Sequence, residues 1–321
     1  MRRHPLLLML SCLAFVLLIS ISLGQQSINP FNPDPLQMKI LMELRLPRIV
    51  VALLMGASLG VAGAILQGVF RNPLADPYVL GTSSGAALAA AFGLLASQGS
   101  AIWLVPCLAL AGALLTSALV VFLGRDAWGV RAERLLLAGV GIGFFLSAVL
   151  MLVMSLAQAD GVKRALLWMA GDLAGADWSL VPVAGLLMLT GFALAMNRRR
   201  GLNALALGDE VAYGLGLEPE TERIVLVLAA SLLTAASVAL GGIVGFIGLM
   251  VPHGVRVLVG ADARRVLPLS AIGGGLLLCL ADTVGRSLLP PVEIPAGVVT
   301  ALIGAPWFLV MLRRGTPGAV R

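Results

Sequence analysis

Apolar residues run along this chain in long uninterrupted blocks, and polar residues gather in short clusters between them. A helix crosses the hydrocarbon core of a bilayer in about 20 residues, with a range of roughly 17–25. Ten blocks meet that length, approximately 6–23, 46–69, 78–97, 102–123, 135–157, 179–196, 224–240, 243–260, 266–285 and 296–312. Continuous apolar runs lack the two-residue alternation of barrel strands, so a transmembrane β-barrel is excluded. Around the first block, Arg2, Arg3 and Ser22-Leu23-Gly24 have the look of a secretory signal. Its apolar run, Leu6 to Leu23, is 18 residues long, whereas a signal core has about 7–15. It is therefore read as a retained span. The pattern predicts an all-α, polytopic membrane helical bundle of about ten transmembrane helices.

Composition agrees with that pattern and narrows the function. Of 321 residues, 59% are hydrophobic and 12% are charged, against about 25% charged in soluble domains. So much apolar surface cannot be hidden behind so few charges, which excludes a soluble enzyme, a disordered chain and a disulfide scaffold. Cys12, Cys107 and Cys279 lie inside apolar blocks without metal-ligand spacing and read as small packing residues. The net charge of +6 accompanies only 5% aromatics, and the arginines punctuate the apolar blocks, so no nucleic-acid partner is implied.

Placing both termini in the cytoplasm puts 16 of the 22 Lys and Arg inside and six outside: Lys39, Arg45, Arg48, Lys163, Arg164 and Arg286. Positive charge accumulates on the cytoplasmic side of membrane proteins, so this bias supports an even number of spans. Small residues at four-residue spacing, as in Gly56/Gly60 and Gly139/Gly143, predict close helix packing. The longest polar connection, about 198–223, is short, and residues 1–321 read as a single transmembrane domain.

Several functions lack their residues. A phosphate-binding P-loop needs Gly-Lys-Ser/Thr, and the two lysines, Lys39 and Lys163, follow Met38 and Val162. His4 and His253 are the only histidines, so neither a histidine-rich metal site nor a catalytic triad can be built. Asp282 is the one clear intramembrane acid, with Arg286 four residues on, readable as a structural pair or as a proton relay. The chain reads as a non-enzyme without cofactor, and ion-driven transport is weakly supported.

Three connections carry unusual chemistry. Arg45, Arg48 and Arg286 face the exterior, where positive charge is disfavoured. They either recognise carboxylates of an external partner or pair internally with Glu43, Asp282 or Glu293. Arg71-Asn72-Pro73-Leu74-Ala75-Asp76-Pro77 reads as a rigid inner turn. Gly208-Asp209-Glu210-Val211-Ala212-Tyr213-Gly214-Leu215-Gly216-Leu217 reads as a solvated loop or as a short surface helix offering a handle to a cytoplasmic partner.

At these residues the chain resembles the FecCD family, the permease subunits of ATP-binding-cassette importers for iron–siderophores, haem and cobalamin. The resemblance rests on Arg45-Leu46-Pro47-Arg48, on Gln67 to Pro77, and on Leu80-Gly81-Thr82-Ser83-Ser84-Gly85-Ala86. It continues through Gly208-Asp209-Glu210-Val211-Ala212, Gly245-Phe246-Ile247-Gly248-Leu249 and Pro252-His253-x-x-Arg256. Glu293-Ile294-Pro295-Ala296-Gly297, Thr300 and Gly304-Ala305-Pro306-Trp307-Phe308 complete the set in family order.

The resemblance implies a type II importer permease fold in a bacterial inner membrane, with a second permease copy, two cytoplasmic ATPase subunits and an external substrate-binding protein. It implies that Arg45, Arg48 and Arg286 receive acidic residues of the binding protein. It also implies that Asp209, Glu210, Val211, Ala212, Gly214, Leu215 and Gly216 belong to the helix that couples to the ATPase. Spans five and ten would line the pathway, around Gly143, Ser147, Met151, Met154, Thr300 and Gly304. The family's small-hydroxyl gate before span five is replaced here by Arg131-Ala132-Glu133-Arg134, so no gate is carried over.

Overall fold

A computed structural model describes residues 4–24, 32–97, 103–126 and 129–313. The elements in chain order are α1 His4–Ser22, α2 Pro35–Ile40, α3 Leu46–Val69, α4 Thr82–Ser97 and α5 Leu104–Gly124. A two-residue hairpin, β1 Arg125–Asp126 and β2 Gly129–Val130, leads into α6 Ala132–Ser155 and α7 Ala159–Met169. Then come α8 Val181–Asn197, α9 Arg199–Leu207, α10 Asp209–Gly214, α11 Pro219–Gly241, α12 Ile247–Val259, α13 Ala263–Ser287 and α14 Ala296–Arg313. A π-helical turn, Leu41–Arg45, joins α2 to α3, and a 3-10 turn, Pro77–Leu80, precedes α4.

Each of the ten apolar blocks coincides with one of these helices. The stretches containing α3, α5, α6, α11 and α13 are long and apolar enough to cross a bilayer alone. The helix α8 bends by 59° into α9, and α1, α4, α12 and α14 are shorter apolar helices. The block 243–260 is the least regular. Its helix, α12, has 13 residues, a rise of about 20 Å against a hydrocarbon core of about 30 Å.

Helices in lipid gain little from hydrophobic burial against one another, so they associate through close backbone approach and polar contacts. The core is built that way. α3 and α11 are buried along most of their length, and α3 packs directly on α13. A Cβ added at Gly56 would lie 2.2 Å from the Gly274 carbonyl oxygen, and one at Gly60 would lie 2.2 Å from that of Ser270. Only glycine permits this separation. Gly139 of α6 has the same role against the Val79 carbonyl oxygen, whereas Gly143 has room for a side chain. α1 is joined to α13 through Ser20, whose hydroxyl lies 2.7 Å from that of Thr283 and 3.2 Å from Cys279 Sγ.

Non-helical backbone inside a membrane must find its hydrogen bonds within the protein. The irregular segment between α11 and α12 meets this demand. Residues 242–246, between α11 and α12, lie deep in the bundle, with neighbouring Gly241 against Met55 of α3. The Tyr78 hydroxyl donates to the Val244 carbonyl at 3.2 Å and accepts from the Val244 N–H at 3.1 Å. Gln67 Nε2 donates to the carbonyls of Gly248 and Leu249 at 3.1 and 3.2 Å. Arg256 in turn donates to Gln67 Oε1 and to the Ala64 carbonyl. Phe246 holds a left-handed φ of 68° at the start of α12, and its ring fills the space beside Gly304.

Candidate functional site

The bundle carries arginine–carboxylate clusters at its two ends, which take the names outer and inner from the Lys and Arg bias of the sequence. At the outer end the π-helical turn presents Arg45, α3 presents Arg48, and the last turns of α13 present Asp282 and Arg286. Arg48 Nη2 lies 2.8 Å from Asp282 Oδ1, and Arg48 Nη1 lies 2.7 Å from Glu293 Oε2. Arg286 contacts Asp282 at 3.6 Å and donates to the Ser20 carbonyl. Arg45 Nη1 donates to the carbonyls of Ile21, at 2.5 Å, and Ser22. Cations at a helix C-terminus satisfy its open carbonyls and oppose its dipole, so Arg45 and Arg286 cap α1. A cavity of about 350 Å³ opens beside them, lined by Gly24, Leu44, Arg45, Arg48, Arg286 and Glu293.

Of the internal partners open to these arginines, Asp282 and Glu293 are the ones Arg48 takes. Arg45 and Arg286 are each about 5% exposed or less and serve α1, a role that nothing in the residue order suggested.

At the inner end, Asp209 opens α10 after Gly208, whose φ of 131° favours glycine. Arg223, at the start of the second turn of α11, reaches both Asp209 oxygens from Nη2 at 2.7 and 2.8 Å. Its Nη1 donates to the Val130 carbonyl at 2.6 Å. Arg71, at the end of α3 with a φ of 51°, approaches Asp209 at 3.8 Å. Glu222 pairs with Arg198 at 2.8 Å and Glu220 with Arg125 at 3.5 Å. Ala212 is buried against the bundle, while Val211, Tyr213 and Leu215 are 41%, 66% and 66% exposed. Thus α10 shows an apolar face outward, and Gly216, at a φ of 75°, turns the chain after it.

Asp262 caps α13 by accepting from the Arg264 N–H at 3.0 Å, and Asn203 Nδ2 also donates to it at 3.0 Å. These bonds hold its carboxyl below the usual carboxylate range. Asp76 accepts from the Tyr78 N–H at 2.9 Å and caps the 3-10 turn. Burial behind that turn pushes its carboxyl up to about 6.

The residues expected along the pathway divide. On α6, Ser147 and Met151 are exposed and Gly143 and Met154 are half-buried, with Ser147 Oγ 3.2 Å from Ser84 Oγ. On α14, Thr300 is 2% exposed and donates to the Gly297 carbonyl. Gly304 is buried under Phe246, so neither reaches an open face of this chain. The open side of α14 carries Leu302, Ile303 and Leu309.

Residues 8–314 match the FecCD transport family. The chain belongs to that family. It is 40% identical over 322 residues to the Fe(3+)-citrate import system permease protein YfmE of Bacillus subtilis, covering 97% of this chain and 96% of that one. It is 41% identical over 284 residues to the hemin transport system permease protein HmuU of Yersinia pestis, covering 86% and 83%. With the vitamin B12 import system permease protein BtuC of Pectobacterium atrosepticum it shares 39% over 317 residues, covering 97% and 94%. A solved structure described as an inward-facing conformation of a metal-chelate type ABC transporter superposes with a TM-score of 0.88 at 30% identity, covering 97% and 100% of the two chains. This FecCD chain is therefore a multi-pass permease subunit of an ABC importer, a translocation channel rather than an enzyme.

Proposed function

We propose that this permease carries a ferric siderophore across the bacterial inner membrane, with both termini cytoplasmic, as one half of a homodimer. ATP is hydrolysed on two separate cytoplasmic subunits, and an external binding protein delivers the substrate. The observation that carries this reading is α10. A short helix at the inner end, tied to the bundle by Asp209 and Ala212, turns Val211, Tyr213 and Leu215 outward without a covering element among the described residues. A face of that kind suits a groove on a partner, and with no P-loop lysine in this chain, ATP-driven transport needs such a partner. Asp209, Glu210, Gly214 and Gly216 shape this handle.

At the other end, the cavity beside Arg45, Arg48 and Arg286 is the docking position for acidic side chains of the binding protein. Among the described residues that line it, Arg45, Arg48 and Arg286 stand beside the one carboxylate of Glu293. Along α6, Leu137, Phe144 and Met151 recur every seven residues and are 73%, 75% and 76% exposed. A heptad stripe of that kind suits a facing helix, and a second copy supplies one. The pathway then runs past Gly143, Ser147, Met151 and Met154, with little charge to retain a large chelate.

The substrate reading rests on the length and identity shared with the ferric-citrate permease. It is tested by uptake of ferric citrate, a ferric hydroxamate, haem and cobalamin into vesicles containing the full importer. Transport of the iron chelates alone supports it, and transport of haem or cobalamin alone replaces it. The coupling reading is tested with the double variant Val211→Asp, Leu215→Asp. It should lose ATPase subunits on purification at least tenfold while the permease stays folded, and retention of those subunits would remove α10 from the interface.

A further inference from the structure

We propose that Arg223 is a positioning residue that carries motion of α10 to α6, by holding Asp209 and the Val130 carbonyl with one guanidinium. The inference rests on reading α10 as the helix that meets the ATPase, and it adds the route by which that contact reaches the pathway.

The geometry sets out the route. Arg223 is 4% exposed, so its charge is out of water, and its two Nη groups are directed by fixed partners. Nη2 holds both oxygens of Asp209, the first residue of α10, and Nη1 holds the carbonyl of Val130. Val130 is itself 2% exposed and stands two residues before α6 begins. A guanidinium is planar and rigid, so its two ends cannot move independently. Displacement of Asp209 therefore turns the group at Val130. Lysine, with one ammonium on a flexible stem, would not link the two partners in this way.

The mobility of what is joined matters as much as the joint. Arg223 projects from α11, one of the most buried helices of the bundle, which supplies a fixed pivot. α6 is the opposite: only Leu135, Gly139 and Leu150 are buried along its 24 residues. In its own chain α6 packs on α4, α5 and the 3-10 turn, and its link to α10 runs through the residues at its start. A second, looser tether runs in parallel. Arg71 approaches Asp209, and the turn that follows it leads to Val79, whose carbonyl oxygen packs on Gly139 of α6. Asp209 is 42% exposed, so water can take over its oxygens when α10 shifts, which makes the contact releasable.

The test uses the full importer in nanodiscs or proteoliposomes and the variant Arg223→Gln, whose amide can serve one partner but not both. The readouts are substrate moved per ATP hydrolysed and hydrogen exchange at residues 131–136 with and without ATP. The expected result is about a tenfold fall in substrate per ATP, with the ATP-dependent change in exchange at 131–136 abolished. A wild-type ratio, or an intact ATP response at 131–136, overturns the proposal. Equal loss of hydrolysis and transport also overturns it, because a merely structural residue would lower both together. Exchange along α3 reports whether the bundle has stayed closed. If it has opened, Arg223→Lys keeps the charge and is judged by the same two readouts. If wild-type import proceeds without the ATPase subunits, the coupling role of α10 fails, a result separable from any effect at Arg223.

Discussion

The two ends of this molecule use the same chemistry for opposite purposes. At the outer end Asp282 and Arg286 are deeply buried, Arg48 is largely so, and the three join α3, α13 and the end of α1. At the inner end a buried Arg223 meets an Asp209 that is nearly half exposed, and the second arginine there, Arg71, is 48% exposed. A buried charge left without its partner costs about 3–5 kcal/mol, whereas an exposed pair contributes about 0–1 kcal/mol. The outer cluster is therefore a weld and the inner one a joint that water can open. On the proposed reading, the first end keeps its shape for a docking partner while the second follows the ATPases.

Substitutions can break this contrast or sharpen it. The largest effect is expected from Asp282→Ala, which removes the buried carboxylate that Arg48 and Arg286 share, leaving Arg48 with Glu293 and Arg286 with the Ser20 carbonyl. Stability should fall by about 3–5 kcal/mol, read as a large drop in the thermal midpoint of the detergent-solubilised permease. A drop no larger than that of an exposed substitution would show that the outer cluster is not a weld. Removing the α13 cap with Asp262→Ala should cost about 1 kcal/mol, measured the same way. Arg71→Gln removes a half-exposed partner at 3.8 Å and should change stability by less than about 1 kcal/mol. An effect as large as that of Asp282→Ala would erase the distinction between the two ends.

A pH series adds a smaller effect. The Asp76 carboxyl is raised to about 6 in the folded protein, so the protonated form is favoured there. Its contribution is fully present below the unfolded value near 4 and is lost as pH rises through about 6. Asp76→Asn should flatten stability between pH 4 and 6 relative to wild type, as followed by thermal unfolding across that range. An unchanged slope would mean that Asp76 is not the titrating group.

Hydropathy alone located an apolar helix in each of the ten blocks, of which five are long enough to span alone and a sixth as a bent pair, because lipid demands long apolar runs whatever the packing. The close approaches at Gly56, Gly60 and Gly139 were legible for the same reason, since small residues at four-residue spacing leave room for another backbone. α7 was not legible. It is an amphipathic surface helix carrying Lys163 and Arg164, too polar to register as a span and hidden inside a presumed loop. The break at 242–246 was also missed, because Tyr78, whose hydroxyl serves both backbone groups of Val244, is far away in the chain.

The candidate site was read unevenly. Asp282 and Glu293 stood among the possible partners of Arg48, since unlike charges at one membrane face have few alternatives. Thr300 and Gly304 were expected along the pathway, but Phe246 and the turn of α14 enclose them. Arg223 looked like one more cytoplasmic arginine. Its role depends on a main-chain carbonyl 93 positions away, which no side-chain pattern reports.

The central claim is that this permease moves its substrate only on energy delivered through α10. Its most direct test is uptake of a ferric siderophore into proteoliposomes holding the permease, its ATPase subunits and the binding protein. Uptake should require internal ATP, ignore a protonophore and disappear with Val211→Asp, Leu215→Asp. Uptake that continues without ATP and collapses with the protonophore would contradict the account.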